Sequence, residues 1–117
     1  MFGNLKDKLC DSAVDKAINK FAPSLKEHMD TIKTLKPTDI QDNIKFKTMI
    51  ISPMLISVSA SSGGVTKLIP KFDERFQSAM LHVRNELVLV ENDKVKLVED
   101  SETKLPNVLL DGFKQSA

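Results

Sequence analysis

The chain has 117 residues, enough for one domain that buries a core without disulfide or metal staples. With 41% hydrophobic and 28% charged residues, it has the composition of a folded globular domain and not of a disordered one. The net charge is +1 and all six aromatics are Phe, so no bulk electrostatic pull toward nucleic acid is implied and stacking platforms are scarce.

Residues 4–21 read as an amphipathic helix: Leu5, Leu9, Ala13, Val14, Ala17, Ile18 and Phe21 recur at three- and four-residue steps. Cys10 lies on or beside this stripe. As the one cysteine, it can form neither an internal disulfide nor a cysteine-based zinc site. The opening "MFGNLKDKL" has no apolar run or cleavage site of a signal peptide, and with the single thiol this points to a cytoplasmic protein. Pro23 interrupts, and Ser24 is placed to cap a second helix carrying Leu25, Met29, Ile32 and Leu35, which Pro37 ends. Thr38 and Gln41 fit a capping box for a short helical piece near residues 39–43.

The period then changes. In "IKFKTMI", Ile44, Phe46, Thr48 and Ile50 alternate with Lys45, Lys47 and Met49, and in "ISVSAS", Ile56, Val58 and Ala60 alternate with serines. A helical alternative has Ser52 as N-cap, Pro53 in the first turn and Gly63 as the stop. Two strands are preferred, because a run rich in serine and β-branched residues is a poor helix former. At 12 residues, the apolar-leaning run 49–60 is too short to span a membrane. Residues 67–86 give the clearest helix, with Leu68, Phe72, Phe76, Ala79, Met80, Val83 and Leu87 on one stripe. "ELVLVENDKVKLVED" reads as a β-hairpin turning at Asn92-Asp93, which sets Glu91 opposite Lys94, Val90 opposite Val95 and Val88 opposite Leu97. A short closing helix over residues 106–113 would lay Val108, Leu109 and Phe113 on the core.

The expected architecture is α+β and a single domain over 1–117: a helical part, 1–43, then strand–strand–helix–hairpin–helix over 44–117. The sheet is expected to be mainly antiparallel with about four strands, one long central helix on its face and a short C-terminal helix.

The stretch "SASSGGVTK" has the order of a phosphate-binding loop, and its anion-binding candidates are Ser62, Gly63, Gly64 and Lys67. A P-loop needs the lysine directly after the last glycine and another glycine five residues earlier; here Val65 and Thr66 intervene and Ser59 stands at the second position. Nucleotide hydrolysis is therefore not expected, and the loop reads as a connection. His28 and His82 are the only histidines. His28 and Asp30 point apart on a helix, so they form neither a metal pair nor an acid–base dyad. No metal, cofactor or catalytic motif is read, and the balance is against an enzyme. Lys67, Lys71, Arg75, Ser78, His82 and Asn85 fall on one side of the long helix as a cationic ridge, read as a solvated face. Phe2, Leu5 and Leu9 would suit a membrane interface, but Asp7, Asp11 and Asp15 among the lysines favour core or partner-helix contact.

The function class that remains is a small soluble interaction or assembly module, self-associating or binding a protein partner. The candidate contact surface is Leu5, Leu9, Leu87, Leu89 and Val98, because one long helix covers only one hairpin face. The alternative is a binder of an apolar small molecule or a lipid surface. An internal cavity would favour the alternative, and a flat apolar patch the assembly module.

Overall fold

Apolar side chains at four-residue spacing run through most of this chain. The computed structural model, which describes residues 14–61 and 64–116, is accordingly mostly helical. Residues 14–21 form α1 and bury Val14, Ala17, Ile18 and Phe21. Pro23 has no N–H to continue that ladder. A 3₁₀ turn, Ala22–Leu25, follows, and Ser24 Oγ donates to the Phe21 carbonyl at 2.6 Å, so it closes α1 instead of opening the next helix. Helix α2, Lys26–Ile32, turns Met29 and Ile32 inward. It ends earlier than expected: the backbone tightens into three-residue bonds from Lys33, Thr34 and Leu35. Lys36, which precedes a proline, is extended. Helix α3, Pro37–Gln41, then starts on its proline, with the Asp39 carboxylate accepting from the Lys36 N–H at 3.3 Å; the capping acid is Asp39, not Gln41.

The segment expected to be two strands is helical throughout residues 43–61. The Asp42 carboxylate accepts from the N–H groups of Ile44 and Lys45 at 2.9 and 3.2 Å and opens α4, Asn43–Phe46. A five-residue π turn, Lys47–Ile51, leads into α5, Ser52–Ser61. The buried positions are Phe46, Ile50, Ile51, Met54 and Val58, a four-residue repeat that outweighs the local alternation. Ile44 and Ile56, each the first apolar residue of its alternation, are 77% and 72% exposed. The π turn has a cause in the sequence. Pro53 cannot donate to the Met49 carbonyl, and its ring crowds that oxygen; one residue earlier the Ser52 N–H bonds to the Lys47 carbonyl, five residues back, and the turn widens to make room.

After Gly64, at φ 88°, a 3₁₀ turn Val65–Leu68 leads to Ile69, which precedes Pro70 and is extended. The long helix therefore begins later than its stripe suggests. It is α6, Phe72–Leu87, and Leu68 is left 68% exposed. Strands β1, Val88–Glu91, and β2, Lys94–Leu97, pair antiparallel in the expected register, Val88 with Leu97 and Val90 with Val95. Asn92 and Asp93 both take positive φ, as the two-residue turn demands. Among the described residues these two strands are the whole sheet; of the other two expected strands, the first is α4 with the π turn and the second lies in α5. Helix α7, Ser101–Gln115, is longer than expected, with Pro106 inside it and Leu105, Leu109 and Phe113 on its buried stripe.

The buried side chains form one core. At its centre, Phe21 of α1 meets Phe72 and Phe76 edge-on at 6.1 and 6.0 Å, and Phe72 stacks on Phe113 of α7 at 5.6 Å. Helices α6 and α7 cross at Gly112, where an added Cβ would lie 2.7 Å from the Ala79 Cα. Only a residue without a side chain allows that approach.

Candidate functional site

A cleft of about 880 Å³ opens between α2, β2 and the first turns of α7. One wall runs from Ala22 and Pro23 through Lys26 and Met29 to Lys33; β2 supplies Val95 to Leu97, with Val98 after it; α7 supplies Ser101 to Thr103, Leu105 and Pro106. Met29, Val95 and Leu105 are 5%, 6% and 4% exposed and form an apolar floor, while Lys26, Asp30, Lys33, Lys96 and Glu102 ring the mouth. Most of these charges neutralise one another. Lys26 Nζ meets Glu102 at 2.9 Å, tying α2 to α7, and Lys33 meets Asp30 at 3.4 Å. The hydrogen bond and the charge of Glu102 raise the Lys26 pKa above its ordinary value. Both side chains are well exposed, so the pair adds little stability. Lys96 is held less closely, 3.8 Å from Glu91.

The backbone of β2 gives this cleft a second character. The Val98 N–H donates to the Leu87 carbonyl at 2.9 Å, which fixes the phase of the ladder. Hydrogen-bonded and non-bonded pairs alternate in an antiparallel hairpin. Lys94, Lys96 and Val98 therefore bond to the β1 side, and the N–H and C=O groups of Val95 and Leu97, two of the residues that line the cleft, point away from it. Among the described residues no third strand pairs with β2. Pro106 adds a related feature in the facing wall: it has no N–H to offer the Glu102 carbonyl one turn back.

A separate polar contact joins α2 to α5. His28 Nε2 and Ser57 Oγ share a hydrogen bond of 2.9 Å, and Ser61 Oγ reaches Ser24 Oγ at 3.4 Å beside it. Sequence separation hid this pair, since 29 residues lie between its members. A nucleophile–base pair also needs a group that orients the base and donors for an oxyanion. Among the described residues, none bonds to the other ring nitrogen of His28. The contact works as a clip between two helices. No cluster of three or more His, Cys, Asp or Glu side chains suited to a metal lies among the described residues, and none of their helices is long and apolar enough to cross a membrane.

The structure distributes the sequence candidates unevenly. Of the anion-loop set, Ser62 and Gly63 lie outside the described residues; Gly64 takes a left-handed conformation and Lys67 is exposed in the 3₁₀ turn. The element before the loop is a helix, not the strand that a phosphate loop follows. Leu5, Leu9 and Cys10 lie outside the described residues. Leu87 is 1% exposed and belongs to the core, Leu89 is 42% exposed on β1, and Val98 lines the cleft. The cationic ridge of α6 is broken at Arg75, whose Nη2 donates to the Phe113 carbonyl at 2.9 Å while the guanidinium lies over the Phe113 ring. The cleft itself was not read from the sequence. Its walls come from three distant segments, and the only signal was the surplus apolar surface of the hairpin.

Comparison of the chain with protein-family models, curated proteins and solved structures gives no match.

Proposed function

We propose that this protein is a small interaction module that acts by binding, with the cleft between α2, β2 and α7 as its receiving surface. The observation that carries this reading is the cleft: a half-open site with an apolar floor, ringed by charges that largely satisfy one another. Such a site rewards an occupant that brings apolar surface. The single thiol and the balanced charge fit a cytoplasmic setting.

Self-association belongs to the same reading. Leu89 and Val90 are 42% and 37% exposed on β1, and exposed strands of this composition are hazardous unless covered. Sedimentation of the full chain at tens of micromolar is expected to give about twice the 13.1 kDa chain mass, and Leu89→Lys is expected to return it to one chain. A monomer at every concentration removes self-association and leaves a different partner for the cleft.

The cleft volume also favours a second reading, an apolar small molecule in the same place, since small-molecule sites commonly enclose about 300–1,000 Å³. Titration with dodecanoate, followed by amide shifts in the full chain, separates the two. Saturable shifts at Met29, Val98 and Leu105 support the small molecule; no shifts with dodecanoate leave the protein partner.

A further inference from the structure

The geometry points to an extended peptide segment of a partner protein as the occupant of the cleft, added to β2 as a third strand. This rests on the reading of the cleft as a binding site and goes beyond it by naming what the site recognises. The argument starts from backbone groups. The outward N–H and C=O of Val95 and Leu97 are four hydrogen-bonding groups at strand spacing, with no backbone partner among the described residues. Val95 and Leu97 both line the cleft, where an occupant that left these groups unpaired would bear a cost. A small apolar ligand would leave all four unmet. A strand meets them together, which is the basis of recognition by strand addition.

The side chains then set the sequence of the segment. Residues directly opposite one another on paired strands share a face. Val95 and Leu97 face the core, so the residues opposite them must be apolar and meet the floor beside Met29 and Leu105. Lys96 lies between them on the other face, held only at 3.8 Å by Glu91, so the residue opposite it should be acidic. The preferred segment is apolar–acidic–apolar.

The test uses the full chain and an acetylated, amidated Thr-Val-Glu-Val-Thr peptide. In the free protein, the amides of Lys96 and Val98 should exchange slowly and those of Val95 and Leu97 quickly; the peptide should slow the latter pair. N-methylation of the two valine amides should abolish binding, and N-methylation of the glutamate amide should leave it nearly unchanged, because an antiparallel strand turns alternate amides to its neighbour. Leu97→Pro removes an outward N–H without touching the β1 ladder and should weaken binding about tenfold or more. If that variant loses its hairpin, the methylated peptides carry the test alone. Slow exchange at Val95 and Leu97 in the free chain would overturn the inference, because the edge would already be covered, by a segment of the same chain if the mass is single and by a second copy if it is doubled. Equal binding of all the methylated peptides would overturn strand addition while keeping the cleft as a binding site. Absence of binding by the unmodified peptide would overturn the apolar–acidic–apolar strand, and the dodecanoate titration then judges the cleft separately.

Discussion

Arg75 faces away from the Phe72 and Phe76 stripe when α6 is drawn alone, and a surface arginine should be replaceable at little cost. In the folded chain it does two jobs at the end of α7, accepting the role of cap for the Phe113 carbonyl and lying over the Phe113 ring at 5.6 Å. Its Nε is buried without a partner, which offsets part of the gain. Arg75→Ala is therefore expected to cost about 1–2 kcal/mol in urea denaturation, more than an ordinary surface change. Arg75→Lys should not restore the loss, because an ammonium cannot lie flat on the ring while bonding the carbonyl. The sequence showed that Arg75 lies one position from a core phenylalanine. It did not show α7 passing on that side, because the partner carbonyl is 38 residues away.

At the scale of elements, the parts fixed by local chemistry were legible and the parts fixed by competition were not. The hairpin register followed from Asn92-Asp93 and the flanking valines, and the stripe of α6 from more than about four turns of consistent spacing. Residues 43–61 mislead because two periods overlap there. Short alternations at 44–50 and 56–60 sit on top of a longer repeat, Phe46, Ile50, Met54 and Val58, and burial follows the longer one. Asp42, directly before the first helical residue, is the start signal of this helix. The two periods make opposite demands on Ile56. Ile56→Ser is expected to change stability by less than about 0.5 kcal/mol, whereas Met54→Ala should cost about 2–5 kcal/mol. Equal shifts in the two denaturation midpoints would restore the strand reading. The α6–α7 crossing gives a second element-scale test. Gly112→Ala should cost about 1–3 kcal/mol, as overpacking does. Ala79→Gly should not rescue it, because the nearest obstruction at 2.7 Å is the Ala79 Cα and not its side chain.

For the whole molecule, the ties between early and late parts of the chain decide how it unfolds. Phe21 stands among Phe72 and Phe76, and Arg84 of α6 donates to Asn43 Oδ1 at 2.6 Å and to the Ile40 carbonyl at 3.3 Å. A single core crossed by such ties predicts one cooperative transition, with far-ultraviolet circular dichroism and a tertiary probe coinciding. Phe76→Ala, at the meeting point of the rings, should lower stability by about 3–5 kcal/mol and keep the transition single. A biphasic curve would contradict the single core.

The π turn at Lys47–Ile51 also has a consequence for how this chain tolerates changes of length. Removing one residue from an ordinary α-helix rotates everything beyond it by about 100° and turns its buried face outward. A wide turn already holds one residue more than the α ladder needs, so a deletion there has somewhere to go. Met49, 43% exposed, is the residue to remove. Alone, the deletion brings Pro53 into a regular ladder and should cost about 3 kcal/mol. Combined with Pro53→Ala it should return to near the parent's stability, measured by thermal melting, whereas deleting Ser57 from α5 should unfold the chain with or without that substitution. The segment would then be one uninterrupted helix, and the extra residue would be identified as an insertion that Pro53 holds in place.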